Sequence, residues 1–306
     1  METSQKKINV KDFFLNLGGT IALYVVVVSL INLLFTIINN VYPKITNAYY
    51  YAGTSNISWP VAVLVIFTPI LVLLIWLLEK QYILEPEKKD SGVHKWLTYI
   101  TLFISGLVIA GDLIMVLYYF IDGQELDKAF LLKCLTVIII TSSLFGYYIS
   151  DIRGKISRNY KKVWQYVSII IIIASIAWGF SVLGSPRTQR LIKYDAQKIN
   201  DLQMINSYVQ SYYQMKGSMP QSINDLSTVQ YSEIPTDPQT GNPYEYKLVG
   251  QSAKAYELCA EFNLDAKDPR TPKTTTPYGD VSWIHPAGHY CYKLAIPVGQ
   301  YVKLPM

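Results

Sequence analysis

The stretch that decides the fold is Trp164–Gly184, WQYVSIIIIIASIAWGFSVLG, which is followed directly by Ser185–Pro186 and a polar segment. It carries no charged residue and has a Trp near each end. At 1.5 Å per residue, a helix of this length covers the roughly 30 Å hydrocarbon core of a bilayer. We therefore predict a transmembrane helix here, with membrane segments before it and a small water-soluble module after it.

The segment after this helix has a different pattern. Ser185–Pro186 permits a new helix N-terminus with proline in the first turn, and apolar residues then recur every three or four positions. This spacing predicts an amphipathic helix that ends at Gly217, because glycine readily takes the left-handed conformation of a helix stop. The predicted apolar stripe consists of Ile192, Ile199, Leu202, Ile205, Val209 and Tyr212.

The composition is that of an integral membrane protein. Of 306 residues, 51% are hydrophobic and 16% are charged, against about a quarter charged in ordinary soluble domains. The formal net charge is +5, but Lys and Arg cluster beside apolar segments and form no single basic face. The first apolar run is too long for a cleavable signal peptide. We expect the lipid bilayer as a partner and no nucleic acid.

Four more apolar segments precede Trp164, so we predict five transmembrane spans. The spans are expected at Phe13–Asn39, Trp59–Leu78, Trp96–Phe120, Ala129–Ile149 and Trp164–Gly184, with Glu79–Lys95 as a charged loop. The predicted organisation is a cytoplasmic N-terminus at 1–12, a four-helix transmembrane domain at 13–150, a basic cytoplasmic loop at 151–163, the fifth transmembrane helix at 164–184, and an extracytoplasmic domain at 185–306.

The distribution of Lys and Arg predicts the orientation. The N-terminus, the second-to-third loop and the fourth-to-fifth loop are rich in these residues, whereas the two intervening loops are poor in them. By the positive-inside rule, all five segments agree on a cytoplasmic N-terminus. We therefore expect a multi-pass protein of the cytoplasmic membrane whose C-terminal domain lies outside the cytoplasm.

The last third of the chain predicts a small α+β domain. Three runs alternate apolar and polar residues, which indicates an antiparallel three-stranded sheet that the amphipathic helix covers. A short helical piece with Ile223 and Leu226 on its buried side precedes them, and the long loop Asn263–Gly288 joins the second run to the third. The runs are Tyr244–Val249, Ala255–Phe262 and His289–Ile296.

The order of span, amphipathic helix, turn-rich segment IPTDPQTGNPYEY and small sheet resembles the pseudopilins of type II secretion and related type IV pilin-like proteins. The resemblance covers about Trp164 to Ile296, and it implies a pilin-like fold and a role in assembly or contact outside the membrane. NYKKVWQYVSII lacks the Gly-Phe processing site and the Glu of true pilins. The first four spans resemble an uncharacterised bacterial membrane domain of unknown function. The positions that match the pilin turn pattern are Asp237, Pro238, Gly241, Pro243, Tyr244 and Tyr246.

Two cysteines are candidates for a disulfide bond. Cys259 and Cys291 fall on predicted strands of a domain that the topology places in an oxidising compartment. The alternative is two buried free thiols on strands that are not neighbours. Cys134, inside the fourth span, is expected to act as a small apolar filler.

Asp112 is the acidic residue inside a predicted span. An unpaired charge at that depth costs several kcal/mol, and Lys133 enters the fourth span from the same predicted outer side. One interpretation is a proton or ion relay. The other is a structural ion pair, or a neutral Asp that lines the interior of the bundle.

The module offers few candidates for metal binding. His285 and His289 with Asp280 suggest a transition-metal site, but Pro286 and Gly288 exclude the regular helix that would align both imidazoles. By analogy with pseudopilins that bind calcium in the C-terminal loop, Asp265, Asp268 and Asp280 are calcium candidates, although no EF-hand spacing is present. We expect neither a metal nor a cofactor.

The sequence predicts no enzyme. No Walker loop, GxGxxG after a strand, GxSxG elbow or CxxC pair occurs. The predicted function is a non-enzymatic membrane protein that displays the module for assembly or for contact with an envelope protein or a pilus or secretion component. The alternative is a transporter or sensor whose four-helix domain carries the activity through Asp112, with the outer module regulatory.

Overall fold

The computed structural model describes residues 10–42, 57–85, 92–154, 157–228, 233–249, 255–268 and 283–296. The chain divides into two compact units. Of the described residues, the first unit contains the long apolar helices up to Leu183, and the second contains those from Gly184 onward.

Within the described residues, the first unit contains five helices that are long and apolar enough to cross a bilayer, in agreement with the predicted number. Many large apolar side chains on them face outward, among them Phe103 and Ile114, which are 67% and 66% exposed. Such a surface is stable in lipid and not in water. The helices are α1 (Val10–Val41), α2 (Ser58–Leu84), α3 (Gly92–Ile121), α4 (Lys128–Ile152) and α5 (Arg158–Leu183).

Helix α1 is central because it packs against each of the other four helices. Leu33 and Ile37 of α1 are completely buried. Gly179 of α5 lies against them, and a Cβ atom at Gly179 would be 3.2 Å from Cδ1 of Leu33. Glycine therefore permits the close approach of α5 to α1, as small residues do between membrane helices.

The helices extend further than the hydrophobicity predicts. The expected charged loop Glu79–Lys95 is partly helical, because α2 continues to Leu84 and α3 begins at Gly92. The expected loop at 151–163 is likewise shortened, since α4 ends at Ile152 and α5 begins at Arg158. Some polar residues at these helix ends have hydrogen-bonding partners on other helices, among them Tyr82 and Gln165, and such bonds offset the cost of burying polar groups.

The second unit begins with α6 (Pro186–Lys216), and both of its ends agree with the prediction. The Ser185 hydroxyl accepts a hydrogen bond from the backbone N–H of Thr188, with Pro186 in the first turn. Gly217 adopts φ = 69° and donates its N–H to the carbonyl of Tyr213. Of the predicted stripe, Leu202, Ile205 and Val209 are fully buried, together with Leu226 of the following 3-10 helix, Ile223–Thr228.

The three predicted strands are present as an antiparallel sheet in the order β1-β2-β3. One face packs on α6 through Tyr256, Leu258 and Tyr292, and residues that alternate with them point to the opposite face. The architecture is therefore a long helix on one face of a small sheet. The strands are β1 (Glu245–Leu248), β2 (Ala255–Phe262) and β3 (Gly288–Ala295).

Candidate functional site

A cluster of polar side chains joins all five helices of the first unit. Each helix contributes one residue, and we call the set the bundle polar cluster: Asn16 (α1), Tyr82 (α2), His94 (α3), Asp151 (α4) and Lys161 (α5). These residues lie near the start of the odd-numbered helices and the end of the even-numbered ones. In an up-and-down bundle those ends meet on one side.

Two hydrogen-bond acceptors organise the bundle polar cluster: the side-chain oxygen of Asn16 and the carboxylate of Asp151. The Tyr82 hydroxyl donates to Oδ1 of Asn16 at 2.8 Å, and Nδ1 of His94 lies 3.3 Å from both groups. The Asp151 carboxylate is buried, with Lys161 Nζ at 2.9 Å and His94 Nε2 at 3.8 Å. A buried carboxylate between an ammonium and an imidazole is an arrangement that holds or relays a proton, and it also ties helices together.

The sequence pattern does not predict this cluster, because most of its residues fall in expected loops. Two further polar contacts surround it. Gln81 donates to Asp12, and Gln165 Nε2 donates to Oε1 of Glu79 at 3.2 Å. One signal in the sequence could have revealed the cluster. Every span has a polar residue within one or two helical turns of its predicted cytoplasmic end.

The structure does not pair Asp112 with Lys133. The ammonium of Lys133 lies 5.8 Å from the centre of the Phe35 ring in α1, whereas the neighbour of the Asp112 carboxyl group is the Cys134 side chain. Successive residues of an α-helix point about 100° apart, so when Cys134 faces α3, Lys133 faces elsewhere. Among the described residues, the buried Oδ2 atom of Asp112 has no hydrogen-bond partner.

The two cysteines of the second unit face each other across β2 and β3. Cys259 and Cys291 are directly opposite in the register, with Cα atoms 4.0 Å apart, and their sulfur atoms are at disulfide distance. They lie on the sheet face away from α6. Glu245 is opposite Cys259 on β1, and its Oε1 lies 3.2 Å from Nε2 of His289. We call these four residues the cystine face.

Exposure on the cystine face is uneven. Cys259 is 1% exposed, whereas the side chains of Glu245 and His289 are each 51% exposed. Hydrogen bonds from Lys247 and His289 to the Glu245 carboxylate hold its pKa below the usual value. The cystine is thus covered by side chains that are themselves in contact with solvent.

The structure separates the two predicted histidine ligands. His285 is buried and stacks on Phe262, with ring centroids 3.6 Å apart, on the α6 side of the sheet, whereas His289 belongs to the opposite face. Burial lowers the pKa of His285. Asp265 accepts a hydrogen bond from the backbone N–H of Lys267, and Asp280 lies outside the described residues.

A row of charged residues on one side of α6 holds the sheet and its turns. Asp195, Lys198 and Asp201 recur at helical spacing, and all three are buried; we call them the helix clamp. The Asp195 carboxylate accepts hydrogen bonds from the backbone N–H groups of Asn263 and Leu264 at 2.9 Å, and from the Asn263 amide at 2.7 Å. It therefore fixes the chain where it leaves β2.

The other two clamp residues bind the turn before β1. Lys198 Nζ lies 3.3 Å from Oδ2 of Asp237 and donates to the Glu261 carbonyl at 2.6 Å. The Tyr244 hydroxyl donates to Oδ2 of Asp201 at 2.8 Å. Burial raises the pKa of Asp201, an effect that the hydrogen bond from Tyr244 opposes in part. The turn residues in the pilin-like pattern, Asp237 and Tyr244, thus have a structural role here.

Comparisons with known proteins identify one region. Residues 12–148 match a family described as a domain of unknown function, DUF5671. The match covers most of α1 to α4, so the resemblance of the first four spans to a domain of unknown function is confirmed. No curated protein and no solved structure matches the chain, and the resemblance of the C-terminal part to pseudopilins has no support from these comparisons.

Proposed function

We propose that this protein is a non-enzymatic, multi-pass protein of the cytoplasmic membrane that displays its C-terminal module outside the cytoplasm for contact with another protein. The supporting observation is an odd number of membrane-length helices followed by a unit that has its own apolar core and a cystine. A cystine is stable in an oxidising compartment, which agrees with the orientation that the Lys and Arg distribution predicts.

The contact surface that we propose is the C-terminal half of α6. Met204 and Met215 are 43% and 68% exposed there, and Tyr212 and Tyr213 are only partly buried against the core. Exposed methionines and tyrosines suit a protein interface because they provide apolar area that adapts in shape. The proposed partner is an envelope protein, including components of a pilus-like or secretion assembly.

Orientation is the first test of this proposal. A phosphatase that is active only outside the cytoplasm, fused after Met306, is expected to be active, and a fluorescent protein that folds only in the cytosol is expected to be dark at the same position. The reverse pattern would place the module in the cytoplasm and remove the basis for an extracytoplasmic partner.

Contact is the second test. A photo-crosslinking amino acid at Met204 or Met215 is expected to give a discrete protein adduct in living cells. Lys193 and Gln197 are the matched controls, since both are exposed positions on the same helix, and they are expected to give much less adduct. Equal yields at all four positions would contradict a contact surface in the C-terminal half of α6.

A second candidate function is a transporter or sensor in which the helical bundle carries the activity. The observation that favours it is Oδ2 of Asp112, a buried atom inside a membrane-length helix that has no hydrogen-bond partner in the described part of the chain; acidic residues within membrane helices frequently mark ion or proton pathways. Proton flux into proteoliposomes is expected to disappear in Asp112→Asn and to persist in Asp122→Asn, which alters an exposed acid. Equal flux in both variants would count against this function.

A further inference from the structure

The cystine face brings together more than a disulfide. Sγ of Cys259, Sγ of Cys291 and a ring nitrogen of His289 all lie within 4.8 Å of one another. The register explains this arrangement, since the cysteines are cross-strand partners and His289 is two residues from Cys291 on the same face of β3. Two sulfurs and an imidazole therefore converge on one spot of the sheet surface.

The Glu245 carboxylate lies beside the imidazole of this group. Its Oε1 lies 3.2 Å from Nε2 of His289, whereas Oε2 is 3.0 Å from the ammonium of Lys247. Oε1 is therefore directed towards the imidazole and Oε2 towards the lysine. Two cysteine thiolates, one histidine and one carboxylate are the ligand types that tetrahedral Zn²⁺ accepts.

We propose that the cystine face is an exchangeable site, which holds a disulfide when oxidised and binds Zn²⁺ through Cys259, Cys291, His289 and Glu245 when reduced. The cation would enter from solvent, because the side chains of His289 and Glu245 are half exposed and lie on the face away from the apolar core. The four ligands come from all three strands, so the metal would replace the cross-link that reduction removes.

The exchange balances with a dithiol as reductant. Two electrons and two protons pass from the dithiol to the cystine, the Cys259–Cys291 bond breaks, and the reductant becomes a disulfide. When Zn²⁺ binds, the two thiols release their protons to solvent and both sulfurs bind the metal as thiolates. In the reverse direction a disulfide accepts two electrons from the thiolates and two protons from solvent, the Cys259–Cys291 bond re-forms, and the cation is released.

The test uses the full chain in detergent micelles, with Co²⁺ as a spectroscopic probe of tetrahedral sites. The cystine is first reduced under nitrogen with a water-soluble phosphine, which takes up oxygen from water to form the phosphine oxide. The reduced protein is expected to bind one Co²⁺ with visible bands of tetrahedral geometry and ultraviolet thiolate-to-cobalt bands. Zn²⁺ is expected to abolish these bands, and the oxidised protein is expected to show none.

Variants distinguish this site from adventitious binding. Glu245→Gln is expected to weaken the affinity about 10- to 100-fold, and His289→Ala at least as much. Lys293→Ala, on an exposed position of the same strand, is the matched control and is expected to leave the affinity unchanged. Two results would overturn the proposal. One is the absence of a 1:1 cobalt complex in the reduced protein, whether or not the sheet stays folded. The other is unchanged cobalt affinity in His289→Ala.

Discussion

Replacing Lys198 with methionine gives the sharpest test of how the second unit is held together. Lys198 is 2% exposed, and its ammonium contacts the Asp237 carboxylate, the Gln239 side chain and the Glu261 carbonyl. Methionine has almost the same length but has neither charge nor donors. The substitution therefore leaves the buried Asp237 carboxylate without its cation, while the apolar packing of the helix is retained.

The expected magnitude follows from that uncompensated charge. Removal of one partner of a buried ion pair costs about 3–5 kcal/mol, which corresponds to a roughly 150- to 5,000-fold higher equilibrium constant for opening of the unit. Lys193→Met is the matched control, since Lys193 is an exposed lysine on the same helix. A surface substitution of this kind is expected to change stability by about 0.5 kcal/mol or less.

The measurement is hydrogen exchange with mass spectrometry on the full chain in micelles. Peptides from β2 and β3 report on opening of the sheet, and peptides from α1 to α5 serve as the internal reference. Asp237→Asn in the Lys198→Met background removes the remaining charge and is expected to restore part of the protection.

The result that would refute this reasoning is equal protection of β2 in Lys198→Met and Lys193→Met. It would mean that the Asp237 carboxylate is solvated without its cation, and that the apolar residues under α6 are sufficient to hold the sheet. A loss in Lys198→Met that Asp237→Asn fails to reduce would also contradict the ion pair as the cause.

Three more outcomes are expected. Cys259→Ser with Cys291→Ser should lower the stability of the second unit by about 3.7 kcal/mol in the chain-entropy model, from the 32-residue separation, as measured by pulse proteolysis. Because burial raises the folded-state pKa of Asp201 above 3.8, stability should fall as the pH rises from 3.8 through the folded pKa, and Asp201→Asn should flatten the proteolysis profile over that window. Asp151→Asn should destabilise the bundle by about 2 kcal/mol, seen as modification of the buried thiol Cys134 at lower temperature by a thiol-reactive dye; an unchanged labelling temperature would contradict this role.

Much of the second unit was predictable because local rules and tertiary packing agree there. Strand β2 has the bounds that the alternation predicted, and α6 ends just before Gly217, which adopts the left-handed conformation expected of a helix stop. The five spans follow from hydrophobicity alone, since length and composition suffice for a membrane helix.

The sequence could not predict how each membrane helix is rotated about its axis, or which face of the sheet each residue near the strands lies on. Hydrophobicity gives the depth of Asp112 and Lys133 but not the directions in which their side chains point; in the structure the Lys133 ammonium lies over the Phe35 ring, and the Asp112 carboxyl group lies beside Cys134. Likewise, the HPAGH motif brings His285 and His289 close in sequence but does not give the side of the sheet on which each ring lies; His285 stacks on Phe262 on the α6 side, and His289 belongs to the opposite face. A different reason explains why the bundle polar cluster was not predicted. A polar residue near a helix end has the composition of a loop, and its burial becomes evident only when the neighbouring helices are placed.

The central position of α1 has a consequence for biogenesis. The helix that is synthesised first contacts the one that is synthesised last among the five, through the close approach at Gly179. The side of α1 that binds α5 must therefore face lipid or the insertion machinery until more than a hundred further residues have been synthesised. The five-helix packing can form only after α5 has been translated. Truncation after residue 148, where the family match ends, would leave that side of α1 permanently uncovered.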